Sequence, residues 1–108
     1  MIKHIVMWRV RGTTSAERSA AARTVQSAFE SLRGRIAGMR ALEVGIDVSG
    51  VEYACDVVLY TEFDSHDALA AYASHPEHQR VREQLGDLRI TRHQVDYEIS
   101  PPPLAGEG

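Results

Sequence analysis

In the stretch LAAYASHPEH, Leu69 to His78, the side chains of Tyr72, His75 and His78 stand at successive steps of three residues, with Pro76 between the last two. A phenol and an imidazole are a sufficient set for acid–base work on a carbon acid. The imidazole takes a proton near neutral pH, and the hydroxyl supports the oxygen on which negative charge develops. Pro76 is well suited to the first position of a helix, which places His78 in the first turn. There the positive end of the helix dipole disfavours an imidazolium and keeps the ring neutral, as a base must be. His75 directly precedes the proline, so it serves the turn between two helices as well as standing beside the candidate pocket. His75, Glu77 and His78 also place three possible metal ligands within one turn, but a transition-metal site needs further protein ligands and an ordered second layer. No metal is expected.

The elements that must position these groups follow from length and pattern. The chain has 108 residues, 44% of them hydrophobic, which suits one domain with one core. Net charge is −3, and the eleven arginines and single lysine are scattered. Without a basic stripe to neutralise phosphates, nucleic acid is not an expected partner. The apolar runs are only a few residues long and Met1 leads straight into a strand pattern, so neither a membrane span nor a targeting segment is expected, and the reading is a cytoplasmic protein. Cys55 is alone, which rules out an intrachain disulfide and zinc-type cysteine spacing.

Ile2 to Val10 alternates as Ile2, His4, Val6, Trp8 and Val10 against Lys3, Ile5, Met7 and Arg9, a strand with one apolar face and a second that is half apolar. Thr14 and Glu17 form a capping box for a helix reaching about Arg33, with Ala21, Val25, Ala28, Phe29, Leu32 and Ile36 on its buried stripe. Gly34 and Gly38 suit its exit. A second strand is read from Arg40 to Val48 and a third from Cys55 to Phe63, apolar on both faces as a central strand is. Ser65 caps a helix carrying Ala68, Leu69 and Tyr72, Pro76 begins another that ends at Gly86, and Thr91 to Ile99 forms the last strand. Residues 1–100 make the domain, and Pro101-Pro102-Pro103 opens a loose tail over 101–108.

The order β-α-β-β-α-β is that of the ferredoxin-like split unit, an α+β fold with a four-stranded antiparallel sheet and helices on one face. Ile5, Met7, Val58 and Tyr60 would leave the other face apolar, and the simplest cover is a second copy packed sheet to sheet. A homodimer is therefore expected.

The segments KHIVMWRV, YTEFDSHDALAAYASHPEH and VDYE together resemble the stress-responsive α/β-barrel domain proteins, or dimeric α/β barrels, over about Met1 to Ser100. The resemblance extends to the polyketide cyclases of the olivetolic acid cyclase type, which need no cofactor and fold a linear poly-β-keto thioester by intramolecular aldol condensation. Carried over residue by residue, it implies catalytic roles for His4 on the first strand, Tyr72, His78, and Asp96 on the last. A further histidine of those cyclases has no counterpart, since Val57 stands at its place on the third strand. On this reading His78 is the base, Tyr72 the hydrogen-bond donor and Asp96 the carboxylate that holds the second nitrogen of His78. Trp8, Phe29, Val57, Leu59 and His75 line the pocket. Two functions are open: a cofactor-free cyclase or lyase acting on a small, largely apolar, enolisable molecule, or a non-catalytic stress-response or ligand-binding protein. An open pocket at His4, Tyr72 and His78 favours the first, and one plugged by Trp8 or Phe29 favours the second.

Overall fold

The computed structural model describes residues 1–99, so the expected tail at 101–108 lies outside the described residues. The elements run β1 (Ile2–Val10), α1 (Ser15–Glu30), β2 (Met39–Ile46), β3 (Val57–Phe63), α2 (His66–Ala73), α3 (Pro76–Leu85) and β4 (Arg89–Glu98). The four strands form one sheet in the order β2-β3-β1-β4, each antiparallel to its neighbour. This is the ferredoxin-like arrangement, with the second helical segment split in two by the Ser74–Pro76 junction.

Alternation in β1 and β3 has the expected cause: Ile2, His4, Val6, Trp8 and Val10 are buried under the helices, as are Val57, Leu59, Thr61 and Phe63. Leu42 and Val44 of β2 join them, and α1 closes the layer with Ala21, Ala22, Val25, Ala28 and Phe29. The caps are local and chemical. Thr14 Oγ1 accepts the Glu17 N–H at 3.1 Å, while Glu17 reaches back to the N–H of Thr13 at 3.2 Å, one residue earlier than the capping box predicts. Ser65 caps α2 through the Ala68 N–H. In α3 the cap is His75, whose Nδ1 accepts the Glu77 N–H at 3.0 Å, with Pro76 at the first helical position.

Several boundaries differ from the sequence expectation. Strand β2 runs Met39–Ile46 rather than Arg40 to Val48, and Val48 stands exposed beyond its end. Helix α1 ends at Glu30 rather than near Arg33, yet Leu32 and Ile36 stay buried in the turns that follow, which use positive φ at Gly34 (+76°) and Gly38 (+81°). Strand β3 starts at Val57 rather than Cys55. Asp56 acts as its anchor: its N–H donates to the Trp8 carbonyl at 2.8 Å and its carboxylate accepts the Val10 N–H at 2.8 Å. Strand β4 begins at Arg89, two residues early, because a register shift at Arg9 and Val10 lets β1 pair with the extra length.

The opposite face of the sheet is apolar, as expected. Ile5, Met7, Val58 and Tyr60 are half-buried there, and register places Val95 and Tyr97 of β4 beside them, exposed at 56% and 40%.

Candidate functional site

Helices α1 and α2 pack on β2, β3 and β1 while α3 packs on α1, so edge strand β4 keeps its helix-side face largely uncovered. That face carries Arg92, Gln94 and Asp96, which pair in register with Trp8, Val6 and His4 of β1. A trough results, floored by polar β4 side chains and walled by the α2–α3 junction.

Tyr72 is the next-to-last residue of α2 and only 3% exposed. Its ring is held by Phe63 at 5.2 Å, by the edge of His4 at 6.2 Å and by His78 at 4.5 Å between centroids. Its hydroxyl finds no hydrogen-bond partner among the described residues, an uncommon condition for a buried polar atom. Burial pushes the phenol up to about 12, with Arg92 and Arg89 pulling weakly the other way, so it stays a neutral donor.

His78 is the third residue of α3 and half-buried. Its Nδ1 lies 3.1 Å from the carbonyl oxygen of Ala73. A carbonyl can only accept, so the proton belongs on Nδ1 and the lone pair on Nε2 is free. Burial holds the imidazole below its ordinary 6.5, the Ala73 bond opposes this, and the positive charges of Arg82, Arg89 and Arg92 lower it further. The result is a neutral imidazole whose tautomer is fixed by backbone.

Asp96 does not hold His78. It binds His4, whose Nδ1 donates to Oδ1 at 2.5 Å across the β1–β4 register, while Oδ2 accepts from Gln94 Nε2 at 2.9 Å. Gln94 Oε1 in turn accepts from Arg92 Nη2 at 2.5 Å. The expected orienting pair is thus replaced by two separate devices: Ala73 orients His78, and Asp96 orients His4. The reason is geometric, since antiparallel register places Asp96 directly opposite His4 on the same face.

His4, Tyr72, His78 and Asp96 do converge. With Leu69 and Arg92 they line a cleft of about 330 Å³. A second cleft of about 620 Å³ adjoins it, sharing Ala73, His78 and Arg92 and continuing past Trp8, Arg82 and Arg89. The remaining expected pocket residues are placed elsewhere. Phe29 lies beneath the second cleft, stacked on Trp8 at 4.9 Å with the rings 16° from parallel, and Leu59 is a fully buried core residue. His75 is spent on its helix cap. Val57 borders a different cleft of about 650 Å³ on the other side of the sheet, beside Met7, Cys55 and His93. Trp8 alone of these five borders the trough. Among the described residues, no three His, Cys, Asp or Glu side chains gather as a metal site.

Arg82, Arg89, Arg92 and Gln94 were not legible as site residues. The one available signal was the period-two series Arg92, Gln94, Asp96, which puts three polar groups on one face of a strand.

The ferredoxin-like sheet has known counterparts. The chain belongs to the stress responsive A/B barrel domain family, whose model matches residues 2–99. It is 30% identical over 79 residues to an uncharacterised protein of Streptomyces coelicolor, covering 73% of this chain and 80% of that one. Among solved structures it is similar to a dimeric protein of unknown function and ferredoxin-like fold from Bacteroides fragilis, at 33% identity and TM-score 0.79, over 91% of this chain and 95% of that chain. A dimeric ferredoxin-like protein from Thermobifida fusca, also of unknown function, is 21% identical with TM-score 0.76, over 91% and 90% of the two chains.

Proposed function

We propose that the protein is a cofactor-free acid–base catalyst that enolises a small, largely apolar carbonyl compound and closes it by intramolecular aldol addition, in the manner of a polyketide cyclase, or cleaves it by the reverse step. The observation that carries this reading is the Tyr72 hydroxyl, buried without a partner among the described residues, on a side chain that lines one cleft with His78. The His78 Nε2 takes the proton from a carbon between two carbonyls, and the C–H electrons pass into the enolate. Tyr72 donates a hydrogen bond to the enolate oxygen without surrendering its proton, consistent with its raised pKa. The enolate carbon then attacks the distal carbonyl, and the alkoxide formed recovers the proton from the His78 imidazolium. His4, oriented by Asp96, packs its ring against Tyr72 and fixes the donor. A cleft of about 330 Å³ suits a small ligand.

The test is to incubate a synthetic poly-β-keto thioester with the protein and separate aldol from lactone products by chromatography and mass spectrometry. The parent should raise the aldol share above buffer, and His78→Ala should return it to the buffer value. A parent no better than buffer would leave the second reading, a non-catalytic ligand binder.

The reading includes a homodimer packed through the apolar outer sheet face. Support comes from the exposure of Val95 and Tyr97 and from likeness to a dimeric protein at 33% identity. Sedimentation at micromolar concentration should show a dimer, and Val95→Glu should yield the monomer.

A further inference from the structure

We propose that the substrate carries an anionic group, held by Arg82, Arg89 and Arg92 in the cleft that continues from His78, while its reacting carbons lie at Tyr72. The proposal deepens the catalytic reading and rests on it.

Charge placement is the argument. Elsewhere on the protein Arg11, Arg33, Arg35, Arg40 and Arg80 each meet a carboxylate. Among the described residues Arg82, Arg89 and Arg92 meet none, although the net charge of the chain is −3 and carboxylates outnumber cations; Arg9, Arg18 and Arg23 also lack a carboxylate, but they are scattered and donate to carbonyl or hydroxyl oxygens. All three line one cleft together with His78 and Trp8. Arg89 lies over the Trp8 ring at 5.0 Å and the Phe29 ring at 5.5 Å, so two aromatic faces fix the height of its guanidinium. Arg92 spends its Nε and Nη2 on the Gln94 carboxamide, an uncharged acceptor that leaves its positive charge unneutralised. Arg82 comes from α3, one turn beyond His78. Burial and the two neighbouring arginines lower the pKa of Arg89, a sign that like charges crowd a half-buried space. Guanidinium groups converging from a helix and a strand suit a carboxylate or a phosphate, which accept paired N–H bonds. Among the described residues the only acidic group lining the trough, Asp96, is already bound by His4 and Gln94.

The geometry also orders the substrate. His78 and Arg92 border both clefts, so an anion in the larger one directs the adjoining carbons to Tyr72 in the smaller.

Isothermal titration calorimetry tests this without requiring turnover. Phenylpyruvate, an enolisable aryl keto acid, is compared with its uncharged methyl ester and with phenyl phosphate. At least one anion should bind tenfold or more tightly than the ester, and the arm that binds tighter identifies carboxylate or phosphate. Arg82→Gln, at an exposed position, should cost about tenfold in affinity for the anion and leave the ester unchanged. Arg89→Met keeps a long apolar stem over Trp8 and should do the same. An ester that binds as tightly as both anions, or anion affinity indifferent to both substitutions, overturns the proposal. Charge-dependent binding without aldol activity refutes the catalytic reading alone, and aldol activity on neutral substrates without charge-dependent binding refutes this one alone.

Discussion

Replacing Tyr72 with phenylalanine separates a catalytic hydroxyl from a structural one, because the two roles demand opposite signs in stability. The ring makes the packing contacts, with Phe63, His4 and His78 at 5.2, 6.2 and 4.5 Å, and phenylalanine keeps all three. Only the hydroxyl is removed, and it is buried with no partner among the described residues. A buried hydroxyl left unpaired costs roughly 1–3 kcal/mol, so its removal should stabilise the fold by about 1 kcal/mol, the lower end of that range. For a domain of this size that corresponds to a rise in Tm of about 4 °C. A hydroxyl with a structural partner would instead contribute about 1 kcal/mol, and its loss would lower Tm by a similar amount. Catalysis should move the other way: loss of the donor to the enolate should slow aldol closure by roughly 10²–10³-fold. Calorimetric unfolding of parent and variant at one protomer concentration, beside the product assay, reads both quantities. A Tyr72→Phe protein that melts lower than the parent and cyclises as fast would refute the assignment.

Four further outcomes follow from the structure. The base limb of activity should fall away below pH 6.5, since burial and three arginines hold His78 under that value, and Arg82→Gln should move the limb to higher pH by removing one of those charges. For the same reason stability should decline as pH drops below about 6.5, where the unfolded chain binds a proton that the folded ring resists, and level off below the folded pKa, as denaturant titrations at pH 7.5 and 5.5 would show. Asp96→Asn should abolish a far-downfield Nδ1 proton resonance of His4 and leave the titration of His78 in place; a displaced His78 titration would restore the pairing expected from sequence. Gly38→Ala should cost more than about 2 kcal/mol in denaturant unfolding, since φ is +81° and the new methyl would meet Ala68 Cβ at 2.7 Å, whereas Gly50→Ala, at φ +67° with open space, should cost only about 1 kcal/mol.

Much of the scaffold was legible because its signals are local. The alternation of β1 and β3, the Thr14 and Ser65 caps and the proline at the start of α3 each depend on residues within one turn or one strand. What sequence could not supply is register. His4 and Asp96 are 92 residues apart, and nothing in either strand states that they face one another; a shift of one residue would send Asp96 to the other face. The role given to Asp96 was therefore attached to the nearest recognised base, His78, when the carbonyl of Ala73 was already there to orient it. Backbone acceptors are invisible to side-chain pattern. The arginines escaped notice for a related reason: Arg82 and Arg92 belong to different elements, and their shared cleft exists only once α3 is laid beside β4.

The distribution of cost within the fold argues that the trough is kept for chemistry. On the side of β1 nearer β3 the interior is dry and closed: Leu59, Phe63, Val25 and Phe29 are at most 1% exposed, and the buried Thr61 hydroxyl donates to the His4 carbonyl at 2.9 Å. On the side nearer β4 three choices run against stability, beside the favourable His4–Asp96 and Arg89–Trp8 contacts. A tyrosine hydroxyl goes unpaired, an imidazole is held neutral by burial, and guanidinium groups gather without carboxylates. Leucines in place of Arg92 and Gln94 would let α3 settle onto an apolar edge strand, a packing the same sheet already uses under α1. A structural trough would have no use for these three expenses together. A site that deprotonates carbon beside an anchored anion uses each of them: the neutral base to accept, the free hydroxyl to donate, and the positive charges to hold the substrate while the negative charge on its oxygen grows.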